Sequence, residues 1–360
     1  MKAQLFEGLY RLCDNPENEV NWNAGLNRDK ARKFLEERTL PAMWSWLPHA
    51  IRDTTYSDEE TIKRYPGWGQ DRTLRAIIGV SGGVDSAIAA DLTARAIYQS
   101  IKSGYSPGGE LCLVNAIGLE DSPIDPIIER LQSQYGDRIT IHLVRINLEE
   151  ALSGMNNAAN QLRRGIQKKE ETSPGQLIPR AICTLLNHVG EEFERPFAPI
   201  DTTNGTEVIL GEFCQGLKYP ISPFAYFSKS EMYLLGEYLG IPKSLMQHAR
   251  NSAHPGKTKP ELYFGHLPEG ITDRQVFEVL DPILYAIWKE KPIREISDKL
   301  RHSRTFLERV KRRIDNQKPR LKRNIFAPGK HLTVYPNSIP NLSTPEAEEI
   351  AEEIMWGGKI

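Results

Sequence analysis

Cysteine is scarce: Cys13, Cys112, Cys183 and Cys214 are the only four in 360 residues, and no two form a C-x-x-C pair. That spacing excludes a zinc ribbon or a cysteine-based sulfur carrier. It fits a reducing compartment in which each thiol behaves as a small buried hydrophobe. Charge of one sign is missing too, with 46 Lys and Arg against 47 Asp and Glu and a formal net charge of −1. The whole chain therefore has no general attraction for nucleic acid, and any basic surface must be local. No apolar run approaches membrane-spanning length, and the first residues lack a charged start followed by an apolar stretch. A soluble, cytoplasmic protein without a membrane partner is expected. There is no internal repeat.

What is present is concentrated at Ser81-Gly82-Gly83-Val84-Asp85-Ser86. Arg75 to Val80 ahead of it reads as a buried strand, and Ala87 to Ser100 behind it carries Ile88, Leu92, Ala96 and Ile97 at helical spacing. Gly82 and Gly83 let backbone N–H groups approach an anion, and the following helix adds the positive end of its dipole. Asp85 would be repelled by phosphates unless a divalent cation lay between them. These features describe a cradle for pyrophosphate and a metal ion. The Gly-Lys-Ser/Thr ending of a Walker loop does not follow. The segment resembles the PP-loop of the N-type ATP pyrophosphatases, which cleave ATP between its α- and β-phosphates and adenylylate a substrate.

Along the chain, residues 1–70 read as a helical extension carrying Trp22, Trp44, Trp46 and Trp68, broken into short pieces by Pro41, Pro48 and Pro66. Strands and helices then alternate. Leu111–Ile117 and Ile139–Ile146 are expected strands, with a helix over Asp125–Gln134, another over Pro179–Val189, and a turn at Asp201–Gly205 after a proline-disturbed strand. The fold class is α/β, a parallel sheet with helices on both faces, and its ligand belongs at the carboxyl ends of the strands. Residues 155–176 are polar and charged, a solvated loop by default or a lid over the nucleotide. The nucleotide-binding domain is expected over 71–330, and a C-terminal tail with a short acidic helix over 331–360.

Downstream segments resemble ammonia-dependent NAD synthase over roughly residues 74–330. Thr203-Asn204-Gly205-Thr206-Glu207 is similar to that family's Thr-Gly-Asn-x-x-Glu, and Gly211-Glu212-Phe213 follows. The stretch from Pro223 to Lys229-Ser230 resembles Pro-Leu-x-x-Leu-x-Lys, and Leu239-Gly240-Ile241-Pro242 matches a family helix end. Asn251-Ser252-Ala253, Pro255-Gly256-Lys257-Thr258 and Lys322-Arg323…Pro328 continue the order. The resemblance implies an adenine nucleotide alpha hydrolase-like sheet and a reaction in which the carboxylate of nicotinate adenine dinucleotide (deamido-NAD) attacks the α-phosphorus of ATP. Ammonia then displaces AMP to give NAD.

The resemblance also implies roles. Asp85 and Glu207 would hold Mg²⁺, while Ser81, Gly83 and Ser86 would bind the departing pyrophosphate, with Gly82, Val84 and Asp85 also in the ATP-binding loop. Thr203, Lys229 and Ser252 would contact ATP, with Asp85, Lys229 and Ser252 the catalytic set. Arg180, Asn204, Lys322 and Arg323 would contact the dinucleotide. A homodimer is implied, and Trp44, Trp46 and Leu47 form an apolar cluster that would mark an interface if exposed. Two family signatures are altered, to Gly216-Leu217 and Lys259-Pro260. These lie toward the acceptor, so another carboxylate stays open as substrate. Two further readings stay open: a tRNA-directed enzyme using the basic run Lys311–Arg323, and a non-catalytic nucleotide-binding protein.

Overall fold

A computed structural model describes residues 12–13, 15–56, 72–117, 124–147, 153, 184–186, 188–189, 196–211, 221–225, 227–247, 263–264, 267–323 and 353–355. Its centre is β1 (Leu74–Gly79), buried almost throughout and apolar except for Arg75, which pairs with Glu110 of the neighbouring strand at 2.8 Å. A strand covered on both faces needs apolar residues at successive positions rather than alternate ones. After β1 come α1 (Val84–Lys102), β2 (Gly109–Ile117), α2 (Asp125–Tyr135), β3 (Ile139–Asn147) and β4 (Ala198–Ile200). The strands lie parallel in the order β3-β2-β1-β4. A parallel bridge from Ile200 to Ile221 extends the sheet beyond β4. The burial of β3 alternates with the pleat, as an edge strand with one covered side requires.

The two faces are covered separately. Ala76, Ile78, Leu111 and Leu113 join the main core with Ile88, Leu92, Ile97 and Leu131 of the crossover helices. Ile77, Cys112 and Val114 point the other way, against Leu186 and Phe197. Helical residues at 184–186 and 188–189 fall within the expected Pro179–Val189 helix. The chain order reverses between β1 and β4, so their carboxyl ends flank the crevice where open α/β sheets bind ligands.

The N-terminal helices join the same core. Arg28–Phe34 is helical, a π turn follows at Leu35–Thr39, and a helix runs from Leu40 to Tyr56. Pro48 was expected to break this stretch, yet the helix passes through it. Pro41 comes just after the π turn, in backbone that stays helical from Phe34 through Leu40, so it too sits inside the helical run. At Pro48 the lost bond costs about 3 kcal/mol, and burial of Met43, Leu47, Ala50 and Ile51 around it offsets that. Trp46 and Leu47 are buried in this chain's own core and Trp44 packs against it, so they form no exposed interface patch. Residues 353–355 close over the same helices: the Asn27 N–H donates to the Ile354 carbonyl at 2.9 Å, and Lys30 pairs with Glu353 at 2.6 Å. The rest of the expected acidic helix lies outside the described residues.

His302 joins the extension to the C-terminal helices. Its Nδ1 accepts the Asn21 N–H at 2.9 Å, and Nε2 is buried with no partner among the described residues. Burial lowers the imidazole pKa to about 4. Between that value and the unfolded one the unfolded chain binds the extra proton, so stability rises with pH and the contribution is complete above about 6.5. Urea unfolding of wild type and His302→Gln at pH 7.5 and pH 5 checks this. The wild type should lose about 2 kcal/mol more than the variant. Equal losses would show that His302 does not titrate as a buried neutral ring.

Candidate active site

The loop after β1 is built to present its backbone. Val80 N–H donates to the Val114 carbonyl at 2.8 Å, and Asn115 of β2 donates to the Val80 carbonyl at 2.8 Å, which fixes the strand end. Gly82 has φ +74°, a conformation that side chains rarely adopt. The buried Ser86 hydroxyl accepts the Ser81 N–H at 3.2 Å and donates to the Gly83 carbonyl at 3.0 Å, so it holds the turn closed. Ser81 is exposed and its Oγ lies 3.4 Å from the Gly83 nitrogen. Val84 begins α1 and is buried beneath the loop. Asp85 falls in the first turn of that helix.

The second wall comes from the segment after β4. Asp201 accepts the Thr203 N–H at 3.0 Å, the Thr203 hydroxyl at 2.8 Å and the Ser222 hydroxyl at 3.0 Å. Burial raises its pKa, and these donors pull the other way. Asn204 then caps α3 (Gly205–Leu210) in a capping box with Glu207, its side chain accepting the Glu207 N–H at 3.1 Å. Only glycine fits at 205, where a Cβ would lie 2.9 Å from the Ala225 carbonyl oxygen. Ser228 caps α4 (Lys229–Leu239) in the same way with Glu231, which places Lys229 at the first helical position.

Three side chains meet between these walls. The Lys229 ammonium pairs with Asp85 Oδ2 and lies 4.0 Å from Glu207 Oε1. Asn204 Nδ2 reaches the same Asp85 oxygen at 3.5 Å. Asp85 Oδ1 is buried with no hydrogen-bond partner among the described residues. Burial alone would lower the Lys229 pKa, but Asp85 and Glu207 outweigh it and raise it, so the ammonium stays charged. The Phe277 ring lies 5.9 Å from Nζ, and burial pushes the nearby Tyr233 hydroxyl up to about 12. Two carboxylates and one ammonium leave a net negative site at the mouth of a glycine turn. Such a site can take a divalent cation together with phosphate oxygens. A cluster of three or more His, Cys, Asp or Glu side chains able to hold a metal alone is absent among the described residues.

The structure thus brings together Asp85, Glu207, Lys229, Asn204 and the Ser81–Ser86 loop. Thr203 stands beside them with its hydroxyl committed to Asp201. Asn204 is fully buried, its amide spent on capping α3 and reaching Asp85. Arg180 and Ser252 lie outside the described residues. Lys322 and Arg323 end the helix Arg304–Arg323.

One layer was missed in the sequence. Asp281, on the helix Asp273–Trp288, accepts the Thr206 hydroxyl at 2.6 Å, the Ser230 N–H at 2.8 Å and the Ser230 hydroxyl. Burial raises its pKa to about 6. The signal was an acid set among Val276, Leu280, Ile283, Leu284 and Ile287, because a carboxylate on an apolar stripe needs buried donors.

The chain resembles known proteins over much of its length. The chain is 25% identical over 257 residues to the NH(3)-dependent NAD(+) synthetase of Alkaliphilus metalliredigens, covering 66% of this chain and 91% of that one. It is 25% identical over 259 residues to the protein of that name from Sulfolobus acidocaldarius, covering 69% and 81%. The solved NAD+ synthetase from Burkholderia pseudomallei superposes with a TM-score of 0.44 at 20% identity, over 76% of this chain and 90% of that one. The sequence profile described as NAD synthase matches residues 70–325, a span that contains the loop, both carboxylates and the lysine. With well over half its length under that profile, the chain belongs to the NAD synthase family.

Proposed function

We propose that the chain amidates the carboxylate of deamido-NAD with ammonia at the expense of ATP, giving NAD, AMP and pyrophosphate. The observation that carries this reading is the meeting of Asp85, Glu207 and Lys229 at the mouth of the Ser81–Ser86 loop. The family and the names of its ammonia-dependent relatives support the acceptor and the nitrogen source. The buried Asp85 Oδ1, without a partner among the described residues, fits Mg²⁺, an ion that takes oxygen ligands and keeps water and phosphate in its shell. Asp85 and Glu207 would hold it. When bound, the ion supplies charge neutralisation on the phosphates as pyrophosphate departs.

The chain's own groups do the rest. Gly82 and Gly83 open the loop backbone to the β- and γ-phosphates, with Ser81 at its rim, while Val84 and Ser86 keep the turn in shape. Lys229, kept protonated by its two carboxylates, would turn from Asp85 toward the triphosphate when ATP enters. Phosphoryl chemistry of this kind asks mainly for position and charge. Thr203 and Asn204 set the wall beside the nucleotide, and Ser252 is assigned a phosphate oxygen by family resemblance. Arg180, Lys322 and Arg323 are assigned the dinucleotide on the same ground. Residues 71–330 would form the catalytic unit, working as a cytoplasmic homodimer. Cys13 and Cys112 are buried and in no disulfide, which suits a reducing compartment. Among the described residues no helix is long and apolar enough to cross a membrane.

Products decide the reading. Incubation with ATP, Mg²⁺, ammonium and deamido-NAD should yield NAD and AMP in equal amounts on chromatography. Release of ADP and phosphate would overturn it. Glutamine should not replace ammonium in the purified chain, because amide transfer from glutamine needs an activated cysteine. Among the described residues, Cys13 is fully buried and burial pushes the Cys112 thiol up to about 12, while Cys183 and Cys214 lie outside them. Comparable rates with the two nitrogen donors would reveal a nucleophile elsewhere.

A further inference from the structure

We propose that Asp281 is a positioning residue for this reaction, its carboxylate locking together the two helix starts that carry Glu207 and Lys229. The proposal rests on the catalytic reading above for what those two groups do. Asp281 is 3% exposed, so its charge persists only through the donors around it. One oxygen takes the hydroxyl of Thr206, the residue before Glu207. The other takes the N–H and hydroxyl of Ser230, the residue after Lys229. Thr206 Oγ1 in turn accepts the Lys229 N–H at 2.8 Å, which closes a ring of bonds through both helix starts.

Helix initiation does not explain this arrangement. Each helix already has its own complete capping box, Asn204 with Glu207 and Ser228 with Glu231. What Asp281 adds is a fixed relation between the two starts, held from a third helix. The Lys229 ammonium stands 4.0 Å from Glu207, and the nucleotide would have to enter between groups already set at working separation. Misplacement by about 1 Å in such a site can cost about a hundredfold in rate.

Asp281→Asn keeps the side-chain shape and can still accept the Ser230 N–H, while its amide turns a donor toward the hydroxyls. The full chain carrying it should unfold near the wild-type temperature and bind ATP without metal within about threefold of wild type. Its kcat should fall about thirtyfold with little change in KM for deamido-NAD. Electron paramagnetic resonance of Mn²⁺ in the presence of ATP should show about tenfold weaker Mn²⁺ binding, since a metal site loses affinity when its supporting bonds are cut. In a Lys229→Met background the same substitution should cost less than about threefold, because groups that act as a unit are not additive. Wild-type kcat and Mn²⁺ binding in a folded Asp281→Asn protein would overturn the proposal. So would a loss that merely tracks the unfolded fraction. If Asp281→Asn does not fold, Thr206→Val cuts only the link to the Glu207 helix and should weaken Mn²⁺ binding in the same direction; unchanged binding there overturns the proposal. The Mn²⁺ measurement needs no acceptor, so failure of the wild type to make NAD would refute the catalytic reading and leave this test standing.

Discussion

Asp85→Asn should lower turnover at least about a hundredfold while leaving the protein folded. The substitution keeps the shape of the side chain and removes the negative charge that attracts a cation. Asp85 Oδ1 has no other buried partner among the described residues, so nothing in the loop takes over its charge. The loss should fall on kcat more than on KM for ATP, because charge on the bridging oxygen grows only as pyrophosphate leaves. Lys229 would retain Glu207 as its neighbour, which keeps a positive charge near the phosphates and sets the residual rate. Rates of AMP formation across a Mg²⁺ titration measure this. Near-normal turnover at saturating Mg²⁺ would remove Asp85 from the mechanism.

Lys229→Met should be at least as damaging to the rate, by about two to three orders of magnitude, and opposite in its effect on metal binding. The ammonium neutralises Asp85 and Glu207 in the free protein. Without it two carboxylates share a partly buried site, which destabilises the fold and favours any divalent cation that enters. Thermal unfolding without nucleotide should show a lower midpoint for the variant and a larger upward shift on adding Mg²⁺ than in wild type, as binding to the folded state alone requires. If Mg²⁺ moves both midpoints equally, Lys229 does not compete for the cation position.

The loop and its flanking elements were legible because local pattern and tertiary demand coincide there. A strand covered on both faces must be largely apolar, and Leu74–Gly79 is, with only Arg75 charged and that one paired with Glu110 at 2.8 Å. The turn at 201–205 was legible too, since Asp201, Asn204 and Gly205 each answer to a backbone requirement within a few residues. The pairing of Lys229 with Asp85 was not visible as a contact, because the partners are 144 positions apart and no periodicity links them. The tryptophans misled for a related reason. Apolar content in a short helical piece does not say which surface covers it, and here Trp46 and Leu47 find that surface in their own chain. Pro48 breaks a helix when nothing else holds it, and the packing around it cannot be read from neighbours in sequence. Asp281 was passed over because an acid in an apolar helix has meaning only once its donors, on two other helices, are in place.

The contact between Lys30 and Glu353 joins residues 323 positions apart. Translation at ordinary speed covers that distance in about 15 to 65 seconds. Throughout that interval Lys30 and the residues before it have been made while Ile354 and Met355, which will lie against the first helices, have not. A nascent chain in this state keeps an apolar seam open, available to chaperones and to the wrong neighbour. Closure is therefore a late event in the life of each molecule, and a stop codon placed shortly before residue 353 would leave the seam open for good.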